Sequence, residues 1–189
     1  MRAGDGTMTD SEILALVGGE PILAAAGILP TSALVFEPAY RKYCEDNVCG
    51  QYGANYSCPP ACGTPEQMKR RALRYRRVLV VQSTWEVPGL KDLEKLARGK
   101  RLHNDLSYRI LDQLERAGFA PDAMLAGHCD RCPEGCRMVQ EKPCPRQGKI
   151  YSCASAYCLD VAKVCEHLGM TYLSDGDHVS FFSMFLLDQ

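Results

Sequence analysis

Apolar positions along the chain switch between a helical and an extended period, and the switches mark out elements. Thr64-Pro65-Glu66-Gln67 reads as a helix start. Thr64 stands at the N-cap, Pro65 in the first turn where its missing N–H costs nothing, and Gln67 at the capping-box position. Met68, Ala72 and Tyr75 then recur at helical spacing and predict a helix that ends near Arg77. Val78 to Thr84 is a continuous apolar run of β-branched character, which predicts a buried strand. Leu90, Leu93, Leu96 and Ala97, followed by Leu106, Ile110, Leu114 and Ala117, predict a long or broken amphipathic helix. Its interruption is expected at Gly99 and its end at Gly118.

A short strand is expected from Ala123 to Ala126, running straight into Gly127-His128-Cys129. Ser155 to Leu168 has helical periodicity with Gly169 just beyond it, and Cys158 and Cys165 would share one face of that helix. Thr171 to Leu173 and Val179 to Leu187 read as a hairpin around Asp175-Gly176, a turn that also accounts for Asp177 and His178. No repeat or low-complexity segment interrupts this order. Helices alternating with strands predict an α/β fold, a single-domain sandwich over residues 1–189 carrying two cysteine-rich loops.

Charge narrows the partners. Lys and Arg number 22 against 23 Asp and Glu, a formal net charge of −1, so the whole molecule has no strong attraction for nucleic acid or an anionic membrane. The N-terminus lacks a basic segment leading into an apolar one, and apolar runs such as PILAAAGIL fall far short of the roughly 20 residues of a membrane span. A cytoplasmic chain is therefore expected, in a compartment that keeps thiols reduced. There, 11 cysteines read as metal ligands or buried thiols rather than disulfides.

The richest stretch is Cys129-x2-Cys132-x3-Cys136-x7-Cys144-Pro145. Three thiolates close together can wrap one face of an iron–sulfur cube, and a fourth, followed by proline, can close it from outside the loop. That spacing is similar to the ferredoxin-type run, with one more residue before the third cysteine and a longer reach to the fourth. A [4Fe–4S] cluster on Cys129, Cys132, Cys136 and Cys144 is the expectation. Structural zinc is the alternative, although it usually draws its thiolates from two separated short knuckles. Radical S-adenosylmethionine chemistry would need the first two spacings in the opposite order. His128 is a possible substitute ligand or a polar residue at the loop edge. Arg137, Lys142 and Arg146 either offset the charge of a thiolate site or form a solvated surface.

An earlier group, Cys44-x4-Cys49-x8-Cys58-Pro59-Pro60-x-Cys62, lies in a stretch where two prolines bar a helix and Gly50 and Gly53 permit tight turns. A stiff loop of this kind suits a second metal site on Cys44, Cys49, Cys58 and Cys62, or buried structural cysteines. Cys62 is the weakest ligand of the four, placed near a helix N-terminus where its thiol would also be reactive.

The run Cys49 to Pro60, with Gly127-His-Cys-Asp-Arg-Cys132, Pro143-Cys-Pro145 and the segment from Tyr151 to Val161, resembles a predicted metal-binding family known as domain of unknown function 2284. The likeness runs from about residue 35 to the C-terminus. It implies metal binding and no particular reaction. The family pattern falls on Cys44, Cys49 and Cys58 and on Cys129, Cys132, Cys136 and Cys144; Cys62, Cys153, Cys158 and Cys165 lie outside it.

Six basic residues among the nine of Lys69 to Arg77 would either dock an acidic redox protein or form the solvated face of their helix. Phosphate-binding, dinucleotide-binding, zinc-protease and nucleophile-elbow motifs are lacking. Three functions remain open: an electron-transfer or redox accessory protein, a redox enzyme with an open cluster site, and a zinc-stabilised interaction module.

Overall fold

The computed structural model describes residues 8–172 and 176–188. Helices α1 (Asp10–Val17), α2 (Arg41–Glu45), α3 (Pro65–Ala72), α4 (Leu93–Arg116) and α5 (Val161–Leu168) accompany strands β1 (Ala25–Pro30), β2 (Arg77–Glu86), β3 (Asp122–Leu125), β4 (Ser152–Cys153) and β5 (His178–Leu187). The strands form one sheet in the order β1-β2-β5-β3-β4. Neighbours are antiparallel except for β3 and β4, which run parallel with Leu125 opposite Cys153.

Side-chain alternation divides this sheet between two cores. Leu79, Val81, Ala123, Leu125, Phe185 and Leu187 face α1 and α4, meeting Ile13, Val17, Leu106, Ile110 and Leu114. Val78, Val80, Met124, Met184 and Leu186 face the other way, against Met68 and Ala72 of α3 and Val164 of α5. The expected α/β fold is thus observed as helices on both faces of a mixed sheet. Burial on both sides is the reason the β2 sequence is a continuous apolar run rather than an alternating one. Each fully buried aliphatic side chain contributes about 2 kcal/mol.

The expected capping box is present at α3: Thr64 Oγ1 accepts the N–H of Gln67, and Gln67 Oε1 accepts the N–H of Thr64 at 2.8 Å. The helix stops at Ala72, short of Arg77, because Arg77 is already paired in the sheet opposite Pro30 and Leu187. Residues 73–76 are needed to turn the chain into β2.

Three further expectations are corrected. Helix α4 passes through Gly99 without a break, because the missing side chain serves packing: a Cβ there would lie 3.0 Å from Trp85 Cγ and 3.2 Å from Phe181 Cε2. Helix α5 begins at Val161, where the Asp160 side chain accepts the N–H of Lys163, rather than near Ser155. Cys158 precedes it with a left-handed backbone (φ +55°) and shares no helical face with Cys165. Finally, β5 pairs with β2 and β3, not with residues 171–172, which form no strand; Leu173 and Asp175 of the expected hairpin lie outside the described residues. Among the described residues no helix is long and apolar enough to cross a membrane.

Candidate metal centre

Strand β3 delivers the second cysteine group. Its exit is held by Asn104 of α4, whose side chain accepts the N–H of Ala126 and donates to the Ala126 carbonyl, both at 3.2 Å. Gly127 follows with φ +83°, and a Cβ there would meet Lys100 Nζ at 2.5 Å. Glycine therefore satisfies both the turn and the close passage of Lys100. The peptide of Cys129 is then gripped on both sides by the earlier cysteine loop: its N–H donates to Ser57 Oγ at 2.9 Å and its carbonyl accepts from Asn55 Nδ2 at 2.9 Å.

Beyond Cys129 the chain turns back, with the Gly135 N–H donating to the Cys132 carbonyl at 3.0 Å and Tyr56 Oη donating to the Lys142 carbonyl at 3.0 Å. Cys129, Cys132, Cys136 and Cys144 all line one small, largely enclosed cavity of mostly apolar surface. Arg137, Arg146 and Lys149 stand at its edge. The Arg146 N–H points at Cys144 Sγ at 3.4 Å. Burial pushes the Cys129 thiol up, and the backbone N–H of Arg131 works against that shift.

The first group is held by a chain of turns. Helix α2 carries Cys44; Gly50 donates to the Asn47 carbonyl and Gly53 to the Pro59 carbonyl, folding residues 47–59 onto themselves. Both glycines have positive φ, 71° and 69°, as the expected tight turns require. Cys44, Cys49 and Cys58 share a second cavity with Cys153, which arrives on β4. His128 and Lys100 line the same space. Burial, reinforced by the nearby Cys153 sulfur, pushes the thiols of Cys44 and Cys58 up to about 11 and about 12.

Cys62 is not in that cavity's lining. It lies against the Arg41 guanidinium, as does Cys158, while Arg41 Nη2 donates to the carbonyls of Gly63 and Ala156 at 3.1 and 3.0 Å. Cys165 is buried within α5, where burial raises its thiol to about 11. His128, considered above as a ligand beside Cys129, lines the first cavity rather than the second, and its pKa is lowered by burial and by Lys100. Sequence reasoning passed over Cys153. The strand that carries it, Ser152-Cys153, is only two residues long, too short to read from the sequence.

The basic stretch after the first loop is partly committed to structure. Arg71 forks onto Asp122 with contacts of 2.5 and 2.7 Å and also donates to the Ile150 carbonyl. Arg77 Nη1 donates to Asp10 at 2.6 Å. Lys69, Arg70, Arg74 and Arg76 remain exposed. Through Asp122, which also accepts from Tyr157 Oη, Arg71 ties α3 to β3 and to the segment entering β4. Those are the two strands that carry cysteines into the cavities.

Among the described residues, no group of three or more His, Cys, Asp or Glu is set to hold one metal ion. Eight of the 11 cysteines instead line two cavities, four in each. Residues 27–187, from β1 to the end of β5, match the family described as predicted metal-binding protein, DUF2284. The chain belongs to this family. The matched span contains every one of the 11 cysteines, both cavities and the sheet except the first two residues of β1. No curated protein and no solved structure matches the chain.

Proposed function

We propose that this member of the DUF2284 family is an iron–sulfur protein acting in electron transfer or as a redox accessory, with a [4Fe–4S] cluster on Cys129, Cys132, Cys136 and Cys144. The observation that carries the reading is the convergence of those four cysteines on one enclosed, largely apolar cavity. The spacing of the run, similar to the ferredoxin type, favours a cube over zinc, which usually draws its thiolates from two separated short knuckles. When bound, such a cluster supplies reversible one-electron chemistry.

The chain's own residues do the rest. Ser57 and Asn55 hold the Cys129 peptide, the Arg146 N–H supports the Cys144 sulfur, and Arg137 and Arg146 offset negative charge at the cavity edge, where Lys149 is already paired with Glu115. A reducing cytoplasmic setting belongs to this proposal, since only reduced thiols take up iron. An acidic redox protein is the proposed partner, met by the exposed Lys69, Arg70, Arg74 and Arg76.

Purification without oxygen, followed by iron, acid-labile sulfide and visible absorption measurements, tests the reading. Brown protein with matched iron and sulfide, sharply reduced in Cys132→Ser, is expected. Colourless protein with stoichiometric zinc would overturn it in favour of the interaction module.

A further inference from the structure

We infer that the chain holds a second, separate four-thiolate site on Cys44, Cys49, Cys58 and Cys153, completed by Cys153 from β4 and not by Cys62. The nature of the metal rests on the proposal above; the ligand set does not.

Topology brings the fourth sulfur in. The parallel pairing of β3 and β4 sets Cys153 opposite Leu125, so the ends of both strands open toward the same loops. Gly127 and His128 continue β3 into the cavity wall while Cys153 enters it from β4. Cys153 thereby lines one cavity with Cys44, Cys49 and Cys58, and Cys62 does not.

Cys62 has a different environment. It faces the Arg41 guanidinium in company with Cys158 and is not part of the cavity lining.

The chemistry of the site follows from the set. Four thiolates round a cavity select a thiophilic iron–sulfur cluster over magnesium or calcium, which take oxygen ligands. They also leave no coordination position free for a substrate. That favours electron transfer at both sites over the open-site enzyme that three ligands would have allowed.

Metal per chain, counted in anaerobically prepared protein, decides the ligand set. Cys153→Ser and the exposed-site variant Cys49→Ser should each hold half the metal of the unsubstituted chain. Cys132→Ser should hold the other half, Cys132→Ser with Cys153→Ser none, and Cys62→Ser the full amount. Full metal in Cys153→Ser, or half in Cys62→Ser, overturns the assignment. In case Cys153→Ser fails to fold, differential alkylation of the unsubstituted protein gives the second measurement: Cys153 should be shielded together with Cys49 by metal and exposed with it after chelation. Cys62 tracking Cys49 in place of Cys153 overturns the assignment. Zinc in place of iron and sulfide would sink the iron–sulfur reading alone, because the halving pattern reports ligands whatever the metal.

Discussion

Ser57 Oγ accepts the N–H of Cys129 at 2.9 Å and lies 3.8 Å from Cys58 Sγ, so one buried hydroxyl joins the two cysteine cavities. Its own proton goes to Asn55 Oδ1 at 2.9 Å, and that amide in turn holds the Cys129 carbonyl through Nδ2. The two loops, 72 residues apart in the chain at this contact, therefore share a hinge of three polar groups.

Replacing that hydroxyl should disturb both sites at once. Ser57→Ala leaves the Cys129 N–H without its partner, at a cost of about 1–3 kcal/mol. The expected result is a lower melting temperature and altered visible or magnetic spectra from both proposed metal sites, with Ser57→Thr closer to the parent. A spectral change confined to one site would show that the hydroxyl links nothing.

Arg71 and Asp122 should matter for stability rather than ligation. Removing the guanidinium in Arg71→Met leaves a nearly buried carboxylate with only Tyr157 Oη and the Ala123 N–H as donors. A loss of about 3 kcal/mol is expected, read as a lower denaturant midpoint at unchanged slope. Metal content at low temperature should stay at the parental value.

Gly99→Ala sets helix propensity against packing. Alanine would add about 1 kcal/mol to an exposed helix, but here the new methyl meets the Trp85 and Phe181 rings at 3.0–3.2 Å. The indole cannot easily withdraw, since Trp85 Nε1 donates to Ser83 Oγ at 2.9 Å. Net destabilisation of about 1–2 kcal/mol is expected from overpacking, and a rise in melting temperature would contradict it.

Acid should unfold the protein partly through His103. The ring is wholly buried between Ser83 Oγ at Nδ1, 2.8 Å, and Ser183 Oγ at Nε2, 2.9 Å, an arrangement a neutral imidazole satisfies. Burial holds its pKa down to about 4, against 6.5 in the unfolded chain. The unfolded state therefore binds the proton first, so this contribution is intact above pH 6.5 and is lost as pH falls toward 4. It amounts to about 3 kcal/mol. Chemical denaturation of His103→Gln across that range should show a shallower pH slope than the parent; equal slopes would remove His103 as the cause.

Local chemistry explains why parts of this architecture were readable early. The Thr64 cap, the doubly buried β2 run and the ends at Gly118 and Gly169 depend on neighbours a few residues away. So does the convergence of Cys129, Cys132, Cys136 and Cys144, whose short spacing confines them to one loop. Gly99 misled because glycine has two uses. It can break a helix or admit a neighbour, and only the positions of Trp85 and Phe181 distinguish them.

Sequence alone thus determined the family, the alternation of helices and strands, and one compact cysteine cavity. Tertiary structure decided the rest: helices on both faces of the sheet, the division of Arg71 and Arg77 from the exposed basic residues, and the company each remaining cysteine keeps. Cys153 reaches Cys44, Cys49 and Cys58 only because β4 pairs parallel with β3. Nothing in the spacing of residues 95 positions apart encodes that meeting, because it is set by strand order and not by reach along the chain.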